Sequence, residues 1–219
     1  MASSTEFSKK SKHSVMTDTD SSDASGERGS WIDSYLEQSF GDWFCNIPLS
    51  FAGDGFNTFG IAIDQARAKS AFHHLLGSDS DSSDSFDSDS EEEIERCTEK
   101  IFGLIHSRYI FTADGLNEMK KKYQDGVFGY CPRFYCNKQN LLPLGLTDHP
   151  GVATVKLYCP NCKQIYEADD VHSKIDGAFF TKSFAHYFLL EMNQMKNGRA
   201  QIDLNNITSE FQSPCPVFI

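Results

Sequence analysis

Two short cysteine pairs constrain the fold of this chain more than any other feature of its 219 residues. Cys131 and Cys136 enclose four residues, Cys159 and Cys162 enclose two, and 22 residues separate the pairs. A gap of two to four residues lets one tight turn present two sulfurs to a metal ion, and the longer spacer lets the chain form a hairpin and return. The spacing therefore predicts a zinc ribbon in which four thiolates hold one structural Zn²⁺ per chain and leave no open position for catalysis.

Two other interpretations of these cysteines are less favoured. The pairs can be ordinary buried or disulfide-bonded thiols, but no signal peptide is visible and spaced pairs in a reducing compartment more often bind metal. A thioredoxin-like role for Cys159 and Cys162 lacks a surrounding βαβ pattern. Of the other cysteines, Cys45 and Cys97 lie among apolar residues and are predicted to be core residues, and Cys215 has no assigned role.

Composition and charge divide the chain. Residues 1–99 hold 20 acidic and 7 basic residues, whereas residues 100–219 hold 11 and 13, so the net charge of −11 comes from the first half. A chain region rich in charge and poor in apolar residues cannot pay the entropy of folding. We therefore predict a disordered tail (1–29), a helical domain (30–125) with an acidic, serine-rich insert (78–93), a zinc-ribbon domain (126–195) and a C-terminal tail (196–219).

Hydrophobic periodicity predicts an α+β fold. Helices are expected after Ser30 as N-cap, up to Gly77, over 92–111 and over the segment "TADGLNEMKKKYQDG". The segments "VATVKLYC" and "KQIYEA" favour β-structure, and 178–190 is expected to form a last strand or a packed segment.

The sequence contains no catalytic motif. It has no phosphate-binding loop, nucleophile elbow or kinase signature, so we predict that the chain is not an enzyme. His106 follows the apolar stripe of its helix and is predicted to be a hydrogen-bonded packing residue. No stretch is long and apolar enough for a membrane helix, and we expect an intracellular protein in cytoplasm and nucleus.

Several segments resemble the regulatory (beta) subunit of casein kinase II. They are "IFGLIHSRYIFTADGLNEMKKKY", "GVFGYCPRFYC", "LLPLGLTDHPG", "VKLYCPNCKQIY" and "DGAFF", within a likeness that runs from about Ser30 to about Leu190. The resemblance implies a non-catalytic subunit whose ribbons pair into a homodimer, which docks catalytic (alpha) subunits and modulates activity and substrate choice. It places Pro132, Phe134 and Ile165 at the dimer interface.

The resemblance also gives the acidic insert a role. It implies that the insert attracts polyamines or basic substrates and that Ser3 and Ser4 are phosphorylated. Ser78, Ser88 and Ser90 each precede an acidic residue by three positions, as does Ser3, which is the arrangement that casein kinase II selects. A solvated linker is the alternative interpretation of the insert.

Two observations run against a complete match. The family's C-terminal segment that grips the catalytic subunit is not found in "NGRAQIDLNNITSEFQSPCPVFI". The ribbon region also carries a local excess of lysine and arginine, so the alternative function is a zinc-ribbon nucleic-acid-binding or transcription protein. No aromatic RNA-binding platform or recognition helix accompanies that excess, which disfavours nucleic acid as a partner.

Overall fold

The computed structural model describes residues 30–61, 65–77 and 91–197. The serines predicted to be phosphorylated and Cys215 lie outside these ranges, as do the N-terminal tail, most of the insert and the tail after residue 197. The helices are α1 (Trp31–Leu36), α2 (Leu49–Ala52), α3 (Gly55–Thr58), α4 (Gln65–Leu76), α5 (Glu91–Tyr109), α6 (Ala113–Gln124) and α7 (Phe184–Asn197). The strands are β1 (Leu142–Leu144), β2 (Lys156–Tyr158) and β3 (Ile165–Glu167).

Helix α1 begins where the sequence predicts. The Ser30 hydroxyl accepts the backbone N–H of Asp33 at 3.2 Å, and the Asp33 carboxylate accepts the backbone N–H of Ser30 at 3.1 Å. This reciprocal capping box satisfies two donors that the first helical turn would otherwise leave open. Trp31 then stacks on Tyr35, with ring centroids 4.9 Å apart, and its indole N–H donates to the Glu95 carboxylate.

The long helices also follow the sequence, with one correction to the acidic insert. Helix α4 ends before Gly77, whose φ of +64° is the left-handed conformation that closes a helix. Helix α5 begins at Glu91, one residue before the predicted start, so Glu91–Glu93 belong to its first turn although the predicted insert (78–93) includes them as well. Negative side chains at a helix N-terminus interact favourably with the macrodipole, which explains why this end of the insert is helical.

The core is aromatic, and His106 lies within it. Phe44, Phe102 and Phe180 are buried with ring centroids 5.0 to 6.3 Å from the imidazole. His106 Nε2 accepts the backbone N–H of Cys45 at 3.1 Å, and Nδ1 donates to the carbonyl of Phe179 at 3.0 Å. Both ring nitrogens are therefore satisfied by a neutral imidazole, which confirms the predicted packing role.

Acid should destabilise the fold through His106. Burial lowers the pKa of His106 from 6.5 to about 4. Because the unfolded chain takes up this proton first, the contribution of the neutral imidazole is complete above about pH 6.5 and is lost as the pH falls towards 4, a change of about 3 kcal/mol. Denaturant unfolding of the wild type and of His106→Gln at each pH should show a shallower acid slope in the variant. Equal slopes would contradict this prediction. Because both proteins are compared at the same pH, any destabilisation caused by loss of metal in acid affects both slopes alike.

The three strands form an antiparallel sheet in the order β1-β2-β3. Leu142 pairs with Tyr158, and Tyr158 pairs in turn with Ile165. Pro143, which has no N–H to donate, is tolerated because β1 lies at the edge of the sheet. The two segments with predicted β-structure thus supply β2 and β3, and the helices followed by a small antiparallel sheet agree with the α+β prediction.

The segment 178–190 is not a strand. A 3₁₀ turn at Gly177–Phe179 leads into α7, which buries Phe184, Ala185 and Phe188. The aromatic content of this segment favours a strand, but the four-residue spacing of Phe184, Phe188 and Met192 places them on one helical face. The packed-segment alternative is therefore the correct one. Among the helices of the described ranges, none is both long and apolar enough to cross a bilayer.

A histidine joins the first helical segment to the region after the sheet. The ring of His172 stacks on Trp43, with centroids 4.1 Å apart and planes 12° from parallel. Its two nitrogens lie 2.9 Å from an oxygen of Asp42 and 2.7 Å from an oxygen of Asp169. The buried residues from Ile32 to Phe188 form one continuous cluster, so the helical and sheet regions share a core. The predicted domain boundaries remain predictions.

Candidate metal centre

The four paired cysteines come together at one place. Their sulfurs all lie within 4.8 Å of one another, and Cys131 Sγ is 3.8 Å from Cys162 Sγ. Four sulfurs bound at about 2.3 Å to a tetrahedral ion are roughly 3.8 Å apart, so this separation is the one that zinc requires. The arrangement can therefore hold a metal ion with four soft ligands.

Each cysteine pair is shaped by a tight turn. After the 3₁₀ turn Phe134–Cys136, Asn137 and Lys138 both have positive φ, and the Cys131 N–H donates to the Gln139 carbonyl at 2.8 Å. This reversal returns the chain to the first cysteine and fixes its side-chain direction.

The second pair has the same design. Lys163 has a φ of +57° and donates its N–H to the Cys159 carbonyl at 2.8 Å, and the Cys159 N–H donates to Gln164 at 3.0 Å. Both turns thus hold two sulfurs on the same side of the backbone, as their spacing predicts.

The environments of the four thiols differ. Cys131, Cys136 and Cys159 are buried, and Cys162 is partly exposed. Burial raises the pKa of Cys159 to about 12, whereas hydrogen bonds from the Tyr166 hydroxyl and the Gln164 backbone overcome the effect of burial and lower the pKa of Cys162 to about 6. A bound cation would stabilise all four as thiolates, and with four protein ligands its role would be structural.

Sequence reasoning missed one residue at this centre. Tyr166 Oη lies 3.3 Å from Cys162 Sγ and 3.5 Å from Cys131 Sγ. The sequence predicts Tyr166 only as a strand-forming residue of "KQIYEA". Its contact with Cys162 is local, four positions away, but the cysteine spacing marks only the metal ligands, and its contact with Cys131 spans 35 positions. The period-2 alternation of the strand does place Tyr166 on the face opposite Ile165.

The residues predicted to form the dimer interface lie at the surface of the same turns. The side chains of Phe134 and Ile165 are 88% and 39% exposed, and Pro132 is exposed as well. Pro132 and Phe134 line an open groove of about 660 Å³ with Tyr130, Arg133 and Lys138. Apolar side chains this exposed beside a rigid centre indicate a contact surface.

Comparison with known proteins identifies the family. The sequence profile described as "Casein kinase II regulatory subunit" matches residues 30–212. The chain belongs to this family. The match extends beyond Leu190, where the resemblance seen in the sequence ends, into a tail that lies outside the described residues.

Several curated relatives of the family align with most of the chain. Casein kinase II subunit beta-3 of Arabidopsis thaliana is 37% identical over 184 residues, which cover 82% of this chain and 67% of the relative. Subunit beta' of Drosophila melanogaster is 36% identical over 187 residues (85% and 81%), and subunit beta' of Saccharomyces cerevisiae is 38% identical over 186 residues (84% and 72%). Casein kinase II regulatory subunits are non-catalytic, so the chain is a regulatory protein rather than a kinase.

Proposed function

We propose that this chain is a regulatory subunit of casein kinase II built around one structural zinc ion. Cys131, Cys136, Cys159 and Cys162 would hold the ion and close the ribbon. The observation that carries the proposal is the cluster of four sulfurs within 4.8 Å of one another, in a chain that belongs to this family. The zinc supplies folding energy, and the residues around it supply the surface for assembly.

We further propose that two copies pair through this surface. Phe134 contacts only Tyr135 among the aromatic rings of the described residues, with centroids 5.5 Å apart, so most of its ring area is available to a partner. Burying a fully exposed phenylalanine stabilises an interface by roughly 2 kcal/mol. In a two-fold symmetric dimer the same residue contributes once from each copy, so this gain occurs twice. The metal centre behind Pro132 and Phe134 keeps their backbone fixed, which lowers the entropy lost on association.

The dimer would dock catalytic subunits and modulate their activity and substrate choice. This part of the proposal rests on family membership and on the profile match that continues to residue 212. Co-purification with a tagged catalytic subunit tests it. The full chain should be retained with the kinase. A chain that ends at Asn197 tests whether residues 198–219 contribute, and it should be retained less if they contact the kinase. A full chain that washes off at micromolar concentration would refute docking.

The acidic insert should be both a kinase substrate and an electrostatic docking site. Incubation with catalytic subunit and ATP is expected to modify Ser3 and at least one of Ser78, Ser88 and Ser90. Each phosphate adds about −1.5 to −2 charges, so spermine should then bind more tightly, and more so at low salt. Mass spectrometry without phosphate in residues 1–8 or 78–93 would remove the substrate role.

A matched variant separates the docking role from a plain linker. Replacing the five aspartates of the insert with asparagine keeps its length and removes five of its eight negative charges. Spermine affinity that does not change in this variant would show that the insert is only a linker.

A further inference from the structure

A single phenol hydroxyl lies between the two cysteine pairs. Tyr166 Oη is within hydrogen-bonding distance of Cys162 Sγ, at 3.3 Å, and of Cys131 Sγ, at 3.5 Å. These two sulfurs belong to different turns and are 3.8 Å apart. We propose that Tyr166 is a positioning residue of the metal centre whose hydroxyl donates a hydrogen bond to the Cys162 thiolate and fixes the orientation of that ligand. The proposal rests on the structural zinc proposed above.

The direction of the hydrogen bond follows from the chemistry of the ligands. Zinc-bound cysteines are thiolates and can only accept, so the single proton of the tyrosine hydroxyl goes to the nearer sulfur, Cys162. The Gln164 backbone N–H also bonds to Cys162. Cys162 is the least buried of the four ligands, and two donors on its sulfur fix its orientation where solvent can otherwise compete.

The sheet determines where this hydroxyl lies. Tyr166 is the central residue of β3 and pairs with Leu157 of β2, which leads directly into Cys159. Its ring is partly buried and packs against the core, and it lines a second groove together with Pro132 and Leu157. Because the ring is held independently of the hydroxyl, phenylalanine at this position should keep the packing and remove only the hydrogen bond.

The test is the zinc affinity of the full chain, measured by competition with a chromogenic chelator. Loss of an outer hydrogen-bonding partner typically weakens metal binding by about 10- to 100-fold, and Tyr166→Phe should raise the zinc dissociation constant by that factor. Tyr135→Phe is the matched control. It makes the same chemical change beside a ligand, but its side chain is 89% exposed, and its affinity should stay within about twofold of the wild type.

A second variant separates the hydroxyl from the ring. Tyr166→Leu removes both, so it reports on packing as well. Weakened binding in both Tyr166 variants supports the proposal, whereas weakened binding in Tyr166→Leu alone would assign the effect to packing and overturn it. Wild-type affinity in Tyr166→Phe would also overturn it while leaving the zinc site intact. A wild-type chain that binds no zinc would instead refute the metal centre itself.

Discussion

Replacing Cys159 with serine is expected to release the metal and unfold the chain from about residue 126 to residue 190. Cys159 is fully buried and its sulfur is one of the four that meet, so no neighbouring donor can take its place. In small metal domains the binding energy of zinc is folding energy, and it amounts to roughly 10 kcal/mol or more at neutral pH. Metal analysis should fall from about one zinc per chain to none, and hydrogen exchange should lose protection across the ribbon.

A matched cysteine variant controls for the substitution itself. Cys97 lies on α5, is partly buried and is not among the four clustered sulfurs. Cys97→Ser should therefore retain its zinc and cost no more than about 1 kcal/mol of stability. Retention of zinc and of a protected ribbon in Cys159→Ser would contradict the metal assignment.

Replacing Phe134 with glutamate is expected to give monomers that still bind zinc. In the proposed dimer this substitution places a carboxylate against apolar surface, and burying an unpaired charge costs several kcal/mol. Each 1.4 kcal/mol of lost binding free energy raises a dissociation constant about tenfold, so the dissociation constant of the dimer should rise at least about 100-fold. Sedimentation analysis at micromolar concentration, together with metal content, measures both properties on one sample.

The control for this variant is an equally exposed aromatic residue elsewhere. Phe56 on α3 is 87% exposed, so Phe56→Glu makes the same change on a surface with no proposed role in pairing. It should sediment as the wild type does. A wild type that is monomeric at this concentration would show that the dimer proposal is wrong.

The sequence predicts those parts of the molecule that depend on short-range patterns. The spacing of the four cysteines is such a pattern, and the sulfurs do meet. The N-cap at Ser30 and the helix end before Gly77 are also local, because a cap involves residues within one helical turn. His106 was assigned correctly because its position on an apolar helical stripe already implies burial.

The features that were missed depend on contacts between distant positions. The contact of Tyr166 with Cys131 spans 35 positions and that of His172 with Asp42 spans 130, so neither of these contacts has a local sequence signature. The strand alternative for 178–190 is wrong for a different reason. Phenylalanine and tyrosine favour strands by propensity, but tertiary packing of Phe184 and Phe188 on one face selects a helix.

Native mass spectrometry of the full chain mixed with a casein kinase II catalytic subunit tests whether the chain assembles with the kinase. We expect one assembly that contains two copies of this chain, two catalytic subunits and two zinc ions. When Cys159→Ser replaces the wild type, the zinc should be lost and the assembly should dissociate into separate proteins. A chain that stays free of the catalytic subunit while it carries its zinc would contradict the assignment of this protein as a kinase regulatory subunit.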